Sequence, residues 1–241
     1  MNAEEYERMY RLEDTYWWFL GRHRLAADLL DRGFERRRDL RILDIGCGTG
    51  AMSVRLAAWG QVVSADFSPL ALAFSRRRGL HRLCAADAMR LPFRDASFDA
   101  VVALDILEHL PDDAAAAREI RRVLRPGGRL VATVPAYPSL WSAHDVALMH
   151  QRRYVAPQFR RLMEEGGLTV RRLTYATTLL FPIAWTVRML TRRSPTPKAN
   201  LVALPGAANR LLVGVTQAEN ALLRVCDLPF GLSVCCVAER A

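Results

Sequence analysis

Short, mostly apolar runs alternate with longer segments of helical spacing in the first half of this chain. Four such runs lie between residues 40 and 110, at 40–45, 62–65, 83–86 and 101–104, and each is followed by enough residues for a helix or turn. Buried strands of a parallel sheet show unbroken apolar runs, and crossover helices connect them. The pattern therefore predicts an α/β fold built on a parallel sheet with crossover helices.

The flanking segments add further elements. Residues 2–35 predict two helical stretches, broken near Gly21 and Gly33, with crowded aromatic side chains. Residues 176–230 exceed what a hairpin needs, so they are interpreted as an insertion of two helices around the polar residues 191–198. The remaining expected elements are a helix at 114–124, a strand at 129–134, a helix at 157–165 and strands at 169–175 and 233–239.

This organisation divides the chain into four segments. A helical lid precedes the core, and a helical insertion or cap interrupts the core before its last strand. The predicted bounds are 1–36 for the lid, 37–175 for the core, 176–230 for the insertion and 231–241 for the last strand.

Three alternate glycines, Gly46, Gly48 and Gly50, follow the first predicted strand. Glycine lets the backbone turn sharply and approach a ligand closely, and the next helix presents free N–H groups to that ligand. Asp66 ends the second apolar run, where an acid commonly binds ribose hydroxyls. Ala51 also completes the G-x-G-x-x-A spacing of dinucleotide-binding sites. The glycine turn alone therefore does not identify the ligand.

Acidic residues at the strand ends bear on that choice. Asp44 lies two positions before the first glycine, where a carboxylate would repel the phosphates of a dinucleotide. Asp87 and Asp105 follow the third and fourth apolar runs. A row of carboxylates at one sheet edge favours a nucleoside that carries a positive charge and no phosphate, such as S-adenosylmethionine.

An ordered set of motifs over residues 38–135 resembles the class I S-adenosylmethionine-dependent methyltransferases. The motifs are residues 44–50, 66–68, 86–93, 98–99, 107–110 and the Pro-Gly-Gly turn at 124–128. The resemblance implies a Rossmann-like, seven-stranded, mostly parallel sheet with an antiparallel last strand and helices on both faces. It also implies an enzyme that uses S-adenosylmethionine as its cofactor.

The resemblance further implies roles for residues at the strand ends. The glycine turn would border the methionine and ribose portions, Asp66 would bind the ribose hydroxyls, and Asp87 the adenine amine. Asp44 and Asp105 would face the methionine end. The expected cofactor-binding residues are Asp44, Gly46, Cys47, Gly48, Gly50, Asp66, Phe67, Asp87, Ala88, Met89, Leu104, Asp105 and His109.

Catalytic candidates are expected beyond the fourth and fifth strands, over the transferred methyl group. His144 next to Asp145, and His150 near Tyr154, could supply a base and a clamp for an anionic group. A general base is needed only if the acceptor loses a proton before attack. The alternative interpretation is a structural loop whose histidine and arginine side chains bind backbone groups.

Aromatic and basic side chains are the candidates for substrate binding. The stretch at 16–24 resembles a bacterial subgroup of these enzymes often assumed to act on glycans, lipids or secondary metabolites, and it predicts a lid. A hydrophobic staple that holds the first helices on the sheet is the alternative. The expected substrate-binding residues are Tyr16, Trp17, Trp18, Arg22, Tyr137, Trp141 and Arg153.

Composition and charge add information about partners. The net charge is +9, and Lys198 is the only lysine. Because the arginines are scattered along the chain, this charge is better explained by the use of arginine in place of lysine on solvated surfaces than by an anionic partner. The five cysteines lack metal-ligand spacing, so no metal is expected. Reduced thiols and an acidic start predict a cytoplasmic protein without a signal peptide.

Several functions remain open at this stage. We expect methyl transfer to a small-molecule, glycan or lipid-linked acceptor. The alternatives are an RNA methyltransferase, an inactive nucleotide-binding module and an oxidoreductase. Residues 104–108 lack the Asn/Asp-Pro-Pro-aromatic segment of base-amine methyltransferases, which argues against nucleic acid. Apolar runs within 176–215 allow core packing, a homodimer face, or contact with the inner face of the membrane.

Overall fold

The fold was obtained as a computed structural model, which describes residues 3–34, 37–191 and 204–241. Nine α-helices and seven strands are found in these ranges. The helices are α1 Ala3–Leu12, α2 Trp17–Gly33, α3 Ala51–Leu56, α4 Pro69–Arg77, α5 Asp113–Val123, α6 Ala143–Ala147, α7 Ala156–Glu165, α8 Phe181–Thr191 and α9 Gly206–Leu223. The strands are β1 Leu40–Ile45, β2 Gly60–Asp66, β3 Leu83–Ala85, β4 Phe98–Leu104, β5 Leu124–Pro135, β6 Thr169–Ala176 and β7 Ser233–Glu239.

All seven strands form one sheet in the order β3-β2-β1-β4-β5-β7-β6. The first five strands are parallel, and β7 runs antiparallel to both of its neighbours. The predicted fold class is therefore confirmed, including the antiparallel last strand and the helices α8 and α9 between β6 and β7. The carboxyl ends of β1, β2 and β4 meet at one edge of the sheet, where a parallel sheet binds ligands.

The sheet is covered by hydrophobic side chains on both faces. One core contains Leu43, Val101 and Cys236, and the other contains Ile42, Val102 and Cys235. Successive residues of a strand point to opposite faces, so the paired cysteines divide between the two cores. Both thiols are buried and free of disulfides.

The amino-terminal helices differ from the sequence prediction in one respect. Gly21 does not break a helix, because it lies inside α2, and the break falls between Leu12 and Trp17. A Cβ at Gly21 would lie 2.9 Å from Cβ of Thr216 on α9. The glycine therefore allows two helices to pack closely, which periodicity along one segment does not reveal.

The helices α2 and α9 form a single layer through several polar contacts. Asn220 donates to the Gly21 carbonyl at 2.9 Å, and the Trp17 amide donates to Asn209 at 3.0 Å. Part of the predicted polar segment, including Arg192 and Arg193, lies outside the described residues. Within the described residues, no helix is both long and apolar enough to cross a membrane.

Candidate active site

The glycine turn connects β1 to α3 in a conformation that favours glycine. Gly46, Gly48 and Gly50 have φ values of +70°, +56° and +88°. A Cβ at Gly46 would lie 2.8 Å from the Ile106 side chain. Strain and crowding therefore both disfavour a larger residue at Gly46.

The Asp66 carboxylate, at the end of β2, lies against this turn. Its Oδ2 accepts the Gly48 amide at 3.0 Å, and its Oδ1 accepts the Ser68 amide at 2.8 Å. Burial raises the pKa of Asp66, and the two backbone hydrogen bonds oppose that effect. Each carboxylate oxygen keeps a lone pair for another donor.

Two other predicted cofactor residues lie deeper, beneath the turn. Asp44 is buried and accepts a hydrogen bond from Ser53 Oγ at 2.5 Å. Burial raises the pKa of Asp44 to about 7, although the Ser53 hydrogen bond lowers it. Cys47 is also buried, with Sγ 3.7 Å from Ser75 Oγ, and burial raises its thiol pKa.

The predicted adenine side of the site lies beside β2 and β3. Phe67 is 80% exposed, although it is a large apolar side chain. Asp87 follows β3 and accepts the Met89 amide at 2.8 Å, and Ala88 between them is buried. These residues lie at the strand ends where the sequence predicted them, and their roles stay predictions.

Helix α1 covers the glycine turn from outside. A Cβ at Gly48 would lie 2.7 Å from Met9 Cε, so the two segments are in close contact. Thr49 Oγ1 donates to Glu13, whose pKa is raised by burial to about 7. Arg78, directly after α4, donates to the Thr49 carbonyl at 2.8 Å and lies 3.3 Å from Glu13. The first helix is thus joined to the turn that it covers.

Arg22 connects helix α2 to Asp105, directly after β4, to Thr133 near the end of β5, and to Ser233 at the start of β7. Its Nη1 lies 2.6 Å from Asp105 Oδ1 and 2.7 Å from Thr133 Oγ1, and its Nη2 donates to Ser233 Oγ at 2.8 Å. The guanidinium also lies 4.5 Å from the centre of the Trp18 ring. Asp105, directly after β4 and Leu104, has φ +52°, a strained value of the kind often found at functional sites.

A cleft opens beside this arginine, between α2, α9 and the sheet. The indole nitrogen of Trp17 is buried and has no hydrogen-bond partner among the described residues. Glu219 accepts backbone amides of residues 177 and 179, and sequence reasoning did not identify it. The lining residues are Trp17, Trp18, Gly21, Arg22, Leu25, Thr133, Ala176, Thr177, Thr216, Glu219, Asn220 and Cys235.

The predicted catalytic histidine segment forms a buried polar cluster. Asp145 Oδ1 lies 2.9 Å from His150 Nδ1 and 2.7 Å from Arg153 Nε. Burial opposes ionisation of Asp145, but the His150 hydrogen bond and the Arg153 charge together hold its pKa below the usual value. His144 lies near His150, with ring centroids 6.4 Å apart, and burial lowers its pKa to about 4. The structure therefore brings the predicted residues 144, 145, 150 and 153 together.

Glu108 and His109 lie beside this cluster, in a short 3₁₀ helix after β4. Glu108 is fully buried, and neither carboxylate oxygen has a hydrogen-bond partner among the described residues. Burial raises the pKa of Glu108 well above its usual value. Burial also lowers the pKa of His109 to about 4, with a contribution from His150. Glu108 was part of a quoted motif but was not assigned a role, since one acid in a helical segment carries no signal of burial.

The other predicted residues have packing contacts. The Tyr154 hydroxyl donates to Asp113 at 2.7 Å, and Arg153 also donates to the Ala136 carbonyl at 2.8 Å. Tyr137 stacks on Tyr175 with ring centroids 5.3 Å apart. These contacts favour structural roles, and the predicted catalytic and substrate roles stay predictions. Two further candidates for substrate binding lie elsewhere. Tyr16, directly before α2, is buried, and Trp141, before α6, is half-buried.

Comparison with known proteins agrees with this arrangement. The family profile described as "Methyltransferase domain" matches residues 43–132. A demethylmenaquinone methyltransferase from Mycobacterium sp. (strain KMS) is 48% identical over 149 residues, which cover 54% of this chain and 64% of that protein. The chain thus spans slightly less than two thirds of that relative's length.

Two further proteins extend the comparison. The O-methyltransferase rstn1 from Aspergillus nomiae is 34% identical over 178 residues, covering 60% of this chain and 79% of that protein. A solved S-adenosylmethionine-dependent methyltransferase from Thermotoga maritima has a TM-score of 0.62 at 17% identity, over 99% of this chain and 96% of that chain. The last likeness shows the fold alone. The glycine turn, the sheet order and these relatives together show that the chain belongs to the class I S-adenosylmethionine-dependent methyltransferases.

Proposed function

We propose that this chain transfers a methyl group from S-adenosylmethionine to a small-molecule acceptor. The observation that carries the proposal is the Asp66 carboxylate against the glycine turn, at the same sheet edge as the cleft beside Arg22. When bound, the cofactor supplies an electrophilic methyl group. The chain has to align the acceptor with that methyl group and exclude water.

The residues at the strand ends fit the cofactor that the family uses. Asp66 keeps lone pairs for two ribose hydroxyls after accepting its two amide hydrogen bonds. Phe67 next to it offers an exposed aromatic face on which a purine can stack. Gly46 and Gly48 have positive φ values, which glycine adopts without strain, so the turn can present its backbone to a ligand.

The lining of the cleft supports an acceptor that contains an aromatic ring, and the cleft has to widen to admit it, since its free volume is about 20 Å³. Trp17 and Trp18 offer large apolar surfaces, and the unpaired Trp17 indole nitrogen can donate to an oxygen of the acceptor. Arg22 adds a positive charge beside them. The names of two relatives, a demethylmenaquinone methyltransferase and an O-methyltransferase, support an acceptor of this kind.

A lipid-linked form of such an acceptor is supported by the surface of α8. Ile183, Trp185 and Val187 on this helix are 65%, 47% and 45% exposed, and Leu211 on α9 is 69% exposed. Exposed apolar side chains on surface helices often mark contact with a membrane, an apolar ligand or a second protein. Peripheral membrane contact and a homodimer therefore both stay proposals for this face.

The histidine cluster supports a proton-accepting role if the acceptor is a hydroxyl group. Asp145 holds Nδ1 of His150 at 2.9 Å, which orients Nε2 away from Asp145. A carboxylate in this position favours one tautomer and stabilises the ring when it becomes charged. His144 is the second candidate, because it lies in the same cluster.

Replacing Asp66 by alanine is expected to weaken binding of S-adenosylhomocysteine by about 1–3 kcal/mol, the loss typical for a buried acid that accepts hydrogen bonds. Isothermal titration calorimetry of the purified protein measures this change. Asp95→Ala is the matched control, because the Asp95 side chain is 72% exposed and remote from the turn. Unchanged affinity in Asp66→Ala would refute the ribose assignment.

Replacing His144 or His150 by alanine is expected to spare S-adenosylhomocysteine binding, while at least one of the variants loses methyl transfer. The reason is that both rings lie in the cluster beyond β4 and not at the glycine turn. Transfer of a labelled methyl group to compounds in a cell extract provides the assay, with the exposed His81→Ala as control. Full activity in both variants would remove these histidines from the mechanism, and no binding of S-adenosylhomocysteine by the wild type would contradict the proposed function itself.

A further inference from the structure

Glu108 is a buried carboxylate that accepts no hydrogen bond from the part of the chain that the structure describes. It is 0% exposed, and both of its oxygens lack a hydrogen-bond partner among the described residues. Burying a carboxylate is costly unless it is paired or binds a metal, so an unsatisfied acid of this kind requires an explanation. The nearest arginines that act on it, Arg22 and Arg153, are each already bonded to another carboxylate, Asp105 and Asp145.

Two histidines converge on this carboxylate from different segments. One donor atom from each of Glu108, His109 and His150 lies within 4.8 Å of the other two. Nε2 of His150 is 3.9 Å from Oε1 of Glu108. The two imidazole rings are nearly perpendicular, at 84°, with centroids 4.7 Å apart. Two imidazoles and one carboxylate are a common ligand set for Zn²⁺ and related divalent ions.

Both imidazole rings make a further hydrogen bond, as metal-binding histidines usually do. Nδ1 of His150 lies 2.9 Å from Asp145, which in turn is bonded to Arg153. The ring of His109 hydrogen-bonds the backbone of Met149. A carboxylate or carbonyl behind the ring fixes the tautomer and directs the other nitrogen toward the ion.

Backbone contacts also fix the two segments relative to each other. The Gln151 amide donates to the Glu108 carbonyl at 2.8 Å, and its side-chain Nε2 donates to the His109 carbonyl at 2.9 Å. Met149, two positions earlier, has φ +57°, a strained value. The loop that carries His150 is therefore held against the helix that carries Glu108 and His109.

We propose that Glu108, His109 and His150 bind a divalent transition-metal ion of the Zn²⁺ class. A tetrahedral ion with bonds of about 2.1 Å places its ligands about 3.4 Å apart, so small side-chain movements complete the site. The fourth position would be open to water or to an oxygen of a ligand. This site goes beyond the proposed function, which needs no metal, and beyond the sequence interpretation, which expected none from the cysteine spacing. When an ion occupies the site, Nε2 of His150 is a ligand, so His144 is then the remaining candidate for the proton-accepting role.

Titration of the untagged, metal-free protein with Co²⁺ tests the site directly. The exposed Cys226 is replaced by serine in all samples, because a free thiol can bind the same ions. We expect one equivalent of Co²⁺ to bind with visible d–d absorption and to be displaced by Zn²⁺. Glu108→Gln and His109→Asn are expected to weaken binding by about 100-fold or more, since even outer-shell changes cost about 10–100-fold.

The controls separate the metal site from folding and from the proposed function. His81→Asn removes an exposed histidine and is expected to leave Co²⁺ affinity unchanged. Near-ultraviolet circular dichroism identifies any variant that fails to fold, and Glu108→Gln keeps the shape of the side chain. No Co²⁺ binding by the wild type, or equal affinity in the two folded ligand variants, would overturn the metal site. S-adenosylhomocysteine binding is measured separately, so failure of the proposed function gives a different result.

Discussion

Replacing Asp145 by alanine is expected to lower the free energy of unfolding by about 3–5 kcal/mol, the cost of leaving a buried charge without its partner. Asp145 is fully buried, and its carboxylate binds Arg153 at 2.7 Å and His150 at 2.9 Å. It also accepts the Ser142 amide at 2.9 Å at the start of α6. The arginine side chain is 1% exposed, so it cannot turn to water when the carboxylate is removed.

Urea denaturation followed by circular dichroism measures this loss. Glu7→Ala is the matched control, because Glu7 binds Arg11 at the surface, with both side chains more than half exposed. Exposed pairs of this kind contribute about 0–1 kcal/mol, so the control should change little. A loss of similar size in both variants would show that the buried cluster does not contribute as the geometry indicates.

Replacing Arg22 by methionine is expected to lower the free energy of unfolding by about 3 kcal/mol, since it separates a largely buried ion pair. The Arg22 side chain is 9% exposed and binds Asp105 after β4, Thr133 in β5 and Ser233 at the start of β7. Methionine keeps much of the apolar stem that packs near Trp18. The loss therefore reports on the charge and its hydrogen bonds more than on packing.

The same denaturation experiment gives the comparison. Arg24→Met, on the same helix, removes an arginine that is 61% exposed and lies 3.4 Å from Asp28. It should cost less than about 1 kcal/mol. In the double variant Arg22→Met/Asp105→Asn, the two single losses should not add, because both remove the same ion pair. Additive losses, or equal losses for the two arginines, would contradict the role assigned to Arg22.

Much of the fold could be predicted from local patterns. Mostly apolar runs predicted β1 and β2, and the last strand was predicted with the bounds that the structure shows, Ser233–Glu239. Such runs are informative because a strand covered on both faces needs apolar side chains at every position. The predicted helix break near Gly21 was wrong. Gly21 lies inside α2, where the absence of a Cβ lets helix α9 pack closely against it.

The residues of the candidate site were predictable where a short, continuous segment of the sequence contains the whole motif. The glycine turn and Asp66 follow strands directly, so the positions of their backbone groups are set by the strand ends. Glu108 and Glu219 were not assigned, because burial of an acid depends on what packs around it. Their surroundings come from segments far away in the sequence.

By itself, the sequence determined the family, the class of fold and the turn at which the cofactor is proposed to bind, because these depend on local periodicity and on motifs of residues that follow one another. Only the tertiary structure decided that Arg22 of α2 binds Asp105, 83 positions away, and that His150 lies beside Glu108. The physical reason is that ion pairs and ligand sets depend on distances across the sheet edge, and spacing along the chain does not set those distances.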